Sequence, residues 1–133
     1  MGKLAVKILL DTHTLLWWFN SDARLSAFAC KTIESKANEV FVSAATAWEI
    51  ATKARIGKLF GVQRLLLDFD SFVVSRGFMH LPVTHRHALL AGGFDSPHRD
   101  PFDRMLAAQA SIEEATLLTN DSALSRFDVA LAW

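Results

Sequence analysis

Cysteine is almost missing from this chain. Cys30 is the single one in 133 residues, which excludes an intramolecular disulfide framework and a multi-cysteine zinc site and makes a reducing cytoplasm the expected setting. Long apolar runs are missing too: no stretch approaches the roughly 18 residues of a membrane span. The opening MGKLAVKILLDTH has only a short apolar run, interrupted by Lys7 and ended by Asp11, so no leader is expected there. Its Met-Gly start is not a myristoylation signal, because Val6 stands where Ser or Thr would be needed. An excess of positive charge is also lacking. Fourteen basic residues face fourteen acidic ones, and the long-range attraction that marks most nucleic-acid binders is therefore absent. A phosphate-handling protein can escape that objection if its acids are gathered in one metal site, where bound cations reverse the local field and leave Lys and Arg to hold phosphates.

What is present is an apolar chain, 51% hydrophobic with a mean hydropathy of +0.22. Its length suits one domain over residues 1–133 with a single core, and part of the apolar surface is expected to meet a partner. Val6 to Leu10 is too short for a helix and reads as a strand buried on both faces. Leu15 to Phe19 begins a helix, and Ser26 caps a second that runs through Phe28, Ala29 and Ile33 to about Lys36. Glu39 to Val42 is a strand. Ser43 caps the helix AATAWEIATKARI, with Gly57 as its stop. Leu65 to Ser75 is expected as one helix ending at Gly77, and Phe78 to Val83 as a strand that Pro82 places at an edge. Thr84 caps a short helix to about Ala91. After the loop GGFDSPHR, Asp100-Pro101 is an N-cap with Pro at the first helical position, opening a helix to about Glu114. Thr116 to Thr119 is another buried strand, and Val129 to Leu131 a final short one. Strands separated by helices predict a three-layer α/β/α sandwich with a mainly parallel central sheet. Ligands in such sheets bind beyond the carboxyl ends of the strands.

That rule gives the acids a meaning. Asp11 and Asp121 each follow an apolar strand directly, which brings both to the carboxyl edge, although either alone is equally well explained as a helix cap. Asp103 shares a helix face with Leu106, Ala107 and Ala110, the stripe that should pack on the sheet, and a charge there is out of place unless it is used. A capping-box role is the alternative, and it explains Asp100 better than Asp103. Glu49 lies in the second turn of its helix with Lys53 four residues on, which by itself reads as an ordinary helix ion pair. Four carboxylates brought together would repel and raise one another's pKa values unless a cation compensates them. Oxygen ligands with no Cys or paired His suit Mg²⁺ or Mn²⁺, and holding metal for phosphodiester hydrolysis is the simplest functional account.

The motifs HRDPFDRMLAAQA (His98 to Ala110), LLTND (Leu117 to Asp121), ILLDTHTLLW (Ile8 to Trp17) and VSAATAWEIATKARIGKL (Val42 to Leu59) resemble those of the PIN-domain ribonucleases, specifically the VapC-like toxins of type II toxin-antitoxin systems. The likeness runs nearly end to end. It implies a PIN-like fold in which Asp11, Glu49, Asp103 and Asp121 are the metal-binding catalytic acids, with Asp100 as a helper. It also implies Mg²⁺ or Mn²⁺ as cofactor for in-line attack of water on RNA. Thr12, Ser43, Thr119 and Asn120 would hydrogen-bond to the acids and orient them. Arg104 and Lys53 are the candidates for phosphate contact, with Arg55 and Lys58 extending the track, and a salt bridge explains each of them equally well. His13 and His98 are read as structural or solvated more readily than as substrate contacts. Relatives of this kind form homodimers and are silenced by a cognate antitoxin, and the aromatic group Trp17, Trp18 and Phe19, which one helix face cannot hide, offers contact points. Two rivals stand beside this reading. A phosphatase of the haloacid-dehalogenase type would need a second Asp where His13 stands, and a degenerate PIN-like module would bind RNA or protein without chemistry.

Overall fold

The computed structural model describes residues 6–133. Residues 1–5, on which the expected lack of a leader partly falls, lie outside the described residues. In chain order the elements are β1 (Val6–Leu10), α1 (Thr12–Phe19), α2 (Ala27–Glu34), β2 (Asn38–Ser43), α3 (Ala44–Arg55), α4 (Gln63–Leu67), α5 (Phe69–Ser75), β3 (Met79–Leu81), α6 (His85–Gly93), α7 (Pro101–Glu113), β4 (Thr116–Leu118), a 3-10 turn (Ser122–Arg126) and β5 (Leu131–Ala132). No helix of the described residues is long and apolar enough to cross a membrane.

The five strands form one sheet in the order β3-β2-β1-β4-β5, and every neighbouring pair is parallel. Parallel strands are covered on both faces, which is why Ile8 to Leu10 of β1 and Leu117 to Leu118 of β4 are unbroken apolar runs and not alternating ones. The pleat sends Ile8, Leu10, Val40, Val42 and Leu118 to one face, against Leu15 of α1, Ile33 of α2, Ile50 of α3, Leu65 of α4 and Val73 of α5. Leu9 and Leu117 point to the other, against Leu106, Ala107 and Ala110 of α7 and Leu124 of the 3-10 turn. Leu9, Leu10, Leu117 and Leu118 are wholly buried, and each side chain contributes on the order of 1.5–3 kcal/mol. The sheet flanked by helices is the architecture the sequence predicts.

Several boundaries differ from expectation for identifiable reasons. α1 starts at Thr12 and not at Leu15, because Asp11 caps it by accepting from Thr12 N at 2.7 Å. The Thr14 hydroxyl donates to Leu118 O at 2.8 Å, which satisfies a polar residue of modest helix propensity in the buried first turn. The single helix expected over Leu65 to Ser75 is two, broken at Asp68, whose φ of −140° leaves the helical region. β5 begins two residues later than expected, placed by bonds of Leu117 N to Ala130 O and Thr119 N to Ala132 O. The stops are as predicted: Gly57 and Gly77 take φ of +79° and +75°, a region where only glycine is free of Cβ strain. β3 stands at an edge of the sheet, as Pro82 implies.

The strand order makes β1 and β4 neighbours although the chain travels to β2 and β3 between them. Connections leave in opposite directions on either side of this point, and that opens a crevice at the carboxyl ends of the two strands. Asp11 follows β1 there, and Thr119, Asn120 and Asp121 follow β4.

Candidate active site

The acids at this edge come from four separate elements. Asp11 is buried, and its two oxygens accept from Thr12 N at 2.7 Å and from the Thr119 hydroxyl at 2.7 Å. Burial pushes its carboxyl above the usual range; the Thr119 bond, nearby His13 and the Thr12 bond pull the other way, and Glu49 adds a smaller upward push. Glu49, on the second turn of α3, is also buried. One of its oxygens accepts from the Thr12 hydroxyl at 2.6 Å and the other from the Lys53 ammonium. Asp103, in the first turn of α7, has 17% of its side chain exposed and lies 2.8 Å from His98 Nε2. Burial pushes Asp103 up to about 6 against the lowering pull of His98, and the charges of Asp100 and Asp11 push the same way as burial. Asp11, Glu49 and Asp103 therefore sense one another, with Asp11 in the middle. Asp121 is exposed. It caps the 3-10 turn through Ala123 N at 2.9 Å and lines the same cavity as Asp11.

The supporting residues divide. Thr12 and Thr119 are bonded to acids as expected, and Thr119 also accepts from Asp121 N at 3.0 Å, which ties Asp11 to Asp121 through one hydroxyl. Ser43 touches none of the acids. Its hydroxyl, wholly buried, donates to Gln109 Oε1 at 2.5 Å, and Gln109 continues to Pro82 O and to His87 Nδ1. His87 in turn meets Glu113 at 2.9 Å, so Ser43 belongs to a buried polar chain between the sheet and α6. Asn120 makes no bond to an acid and lies exposed in the cavity with Asp11 and Asp121. Asp100 caps α7 through Phe102 N at 2.9 Å and Asp103 N at 3.1 Å.

Both candidate phosphate contacts are engaged within the protein. The Lys53 ammonium faces Glu49. Burial draws it down, and the Glu49 bond with the charges of Asp100 and Asp103 outweighs this and holds it above its usual range. Arg104 is turned away from the acids. Its guanidinium donates to the carbonyls of Ala91, Gly92, Phe94, Ser96 and His98 at 2.7–3.4 Å, and it pins the loop between α6 and α7. No sequence pattern announces five backbone partners. Arg104→Ala is expected to cost about 2–4 kcal/mol in urea unfolding, since it leaves several carbonyls unpaired. Arg104→Lys is expected to recover less than half, because an ammonium cannot reproduce the planar fork.

His98 is the residue the sequence undervalues: it sits five residues before Asp103 and closes on it because the Arg104-pinned loop folds back over α7. The aromatic triplet is also better packed than one helix face allows, because its members go to different neighbours. Trp17 meets Trp133 edge-on at 5.6 Å, Trp18 meets Phe78 and Phe19 meets Phe72. Trp48, beside Glu49, is 59% exposed and pairs with Phe102, beside Asp103, at 4.7 Å.

Among the described residues no three Asp, Glu, His or Cys side chains are close enough together to hold an ion directly. The donor set still fits a hard divalent cation. It offers oxygen alone, and burial leaves Asp11 and Asp103 short of compensating charge. Mg²⁺ keeps several waters and takes one or two carboxylates directly, so acids further apart can act through its hydration shell.

Comparison with known proteins places this arrangement. The PIN-domain family model matches residues 8–130. No curated protein sequence matches the chain. Among solved structures it is similar to a chain of VapBC2 from Rickettsia felis bound to a DNA fragment from its promoter, with a TM-score of 0.71 and 17% identity over 96% of this chain and 98% of that one. It is similar to a chain of a toxin-antitoxin complex from Klebsiella pneumoniae, at 0.65 and 17% over 95% and 96%. A chain of VapBC-1 from nontypeable Haemophilus influenzae gives 0.66 and 15% over 96% and 97%. At these identities the likeness is one of fold.

Proposed function

Because the chain belongs to the PIN-domain family, matched over residues 8–130, we propose that it is a metal-dependent endoribonuclease and the toxin half of a toxin-antitoxin pair. Asp11, Glu49, Asp103 and Asp121 are the catalytic acids that hold Mg²⁺ or Mn²⁺. The observation that carries this reading is that buried Asp11 and partly buried Asp103 face one carboxyl edge of the sheet with their carboxyls raised, first by burial and then by the charge of neighbouring acids, with Glu49 tied to the same edge through Thr12. Structural carboxylates are ordinarily paired so that their pKa falls; a raised pair in a crevice marks a working site.

When bound, a hard divalent ion lowers the pKa of a water and offsets charge at the phosphate. The chain's own residues do the rest. Thr119 and Thr12 fix the carboxylates of Asp11 and Glu49 by donating to them. Lys53 balances the charge of Glu49 within the buried helix face. Burial raises Asp103 to about 6 against the pull of His98, and a bound cation would supply the compensating charge that holds it ionised. The solved relatives come from toxin-antitoxin assemblies, which supports an antitoxin as the protein partner; a homodimer as the working form and the cytoplasm as its place are part of the same proposal. Exposed Trp48, backed by half-buried Phe102, replaces Trp17 to Phe19 as the expected protein contact.

A rival reading, a PIN-like module without chemistry, draws on the protein partners that each acid already has. Incubation of RNA with the protein in Mn²⁺, in Mg²⁺ and in chelator separates the two. Cleavage that needs the metal is expected; a folded protein that leaves every RNA intact in all three supports the binding module and sinks the enzyme.

A further inference from the structure

Beside the acids lies a cavity of about 320 Å³ lined by Asp11, His13, Trp17, Arg24, Asn120 and Asp121. Four of these side chains have no part in holding the carboxylates, and their arrangement is built. Trp17 is fixed by the edge-on contact with Trp133, and His13 lies 6.0 Å from it in a tilted arrangement. Arg24 stands over the Trp17 ring at 5.0 Å. The turn that carries Arg24 is tied to the end of α1 by Asp22 N donating to Trp17 O at 2.8 Å. The Asp22 carboxylate then takes two bonds from the guanidinium, at 3.1 and 2.7 Å. Asn120, which lines the same cavity, is an exposed amide with both a donor and an acceptor.

We propose that this cavity receives one unpaired nucleobase of the RNA strand, next to the phosphodiester presented to the acids, with the Arg24–Trp17 pair as the wall it packs on and Asn120 as the reader of its edge. The inference rests on the nuclease reading for its substrate. A phosphate suits the cavity poorly, because Asp11 and Asp121 both line it and the charge of Arg24 is already shared with Asp22. A neutral flat ring suits it well: aromatic walls bind any base face, and a side-chain amide can pair with the donor and acceptor of a base edge. Cleavage would then prefer single-stranded sites, where a base is free to leave its stack.

The test uses the whole protein without metal, so that it does not depend on catalysis. Ribonucleoside 5′-monophosphates are titrated to millimolar concentration while the indole N–H of Trp17 and the side-chain amide of Asn120 are followed by NMR. Ribose 5-phosphate and an arginine amide serve as the other arms. Expected are shifts with at least one nucleotide, no comparable shift with ribose 5-phosphate, and affinity weakened about five-fold or more by Trp17→Leu or Asn120→Ala. Because Trp17 packs against Trp133, Asn120→Ala carries the test if Trp17→Leu fails to fold. Silence with every nucleotide overturns the proposal, as does an equal response to ribose 5-phosphate. A stronger response to the arginine amide also overturns it, by assigning the cavity to a cationic side chain of a protein partner. If the nucleotide shifts occur but no RNA is ever cut, the nuclease reading fails and base binding stands.

Discussion

Asp11→Asn is expected to abolish metal-dependent RNA cleavage, by about three orders of magnitude or more, while the protein stays folded. The amide keeps the size of the carboxyl and its oxygen can still accept from Thr12 N, while its NH2 faces the Thr119 hydroxyl, which must turn to accept where it donates to Asp11. What it loses is the negative charge, and Asp11 is the acid that Glu49, Asp103 and the shared cavity with Asp121 have in common. The stabilisation a metal offers to developing charge is worth several kcal/mol, and each 1.4 kcal/mol is a factor of ten in rate. Single-turnover cleavage with Mn²⁺, alongside circular dichroism of the variant, checks it. Retention of more than a tenth of wild-type rate would remove Asp11 from the catalytic set.

Asp103→Asn should also destroy activity, yet make the metal-free protein more stable. A carboxyl whose pKa rises from 3.8 to about 6 on folding binds its proton more tightly in the native state. The native state therefore loses ground as pH rises through the window from about 4 to 6, and above it the charged side chain costs stability. A shift of about two units corresponds to roughly 3 kcal/mol, and the partial exposure of Asp103 reduces that to about 2. Removing the charge recovers this cost while His98 keeps a bonding partner in the amide oxygen. At pH 7 in chelator the melting temperature should rise by roughly 5–10 °C, and the gap between variant and wild type should close by about pH 4. Added Mn²⁺ should stabilise the wild type and leave the variant nearly unmoved. A variant less stable than wild type at pH 7 would mean that Asp103 is an ordinary structural acid.

Much of this site is legible in the sequence because it follows from one rule, that side chains just past parallel strands emerge at one edge. Asp11 and Asp121 obey it, and Glu49 and Asp103 lie in early turns of helices that start there. The strand order is not legible, since periodicity identifies strands without saying which ones pair, and β1 and β4 are brought together only by tertiary packing. Arg104 and Ser43 are misread for a related reason: their partners are loop carbonyls and a buried glutamine, and neither leaves a spacing that one chain reveals. Lys53 was ambiguous between an ion pair and a phosphate contact, and its geometry with Glu49 favours the ion pair.

The bond between Thr119 and Asp11 joins residues 108 apart in sequence. A ribosome finishes β1 early and β4 almost last, and contacts of such long range form only when the far segment has emerged. If the chain is the nuclease proposed above, a nascent or prematurely ended copy lacks the assembled crevice, and its activity arises only at the close of synthesis.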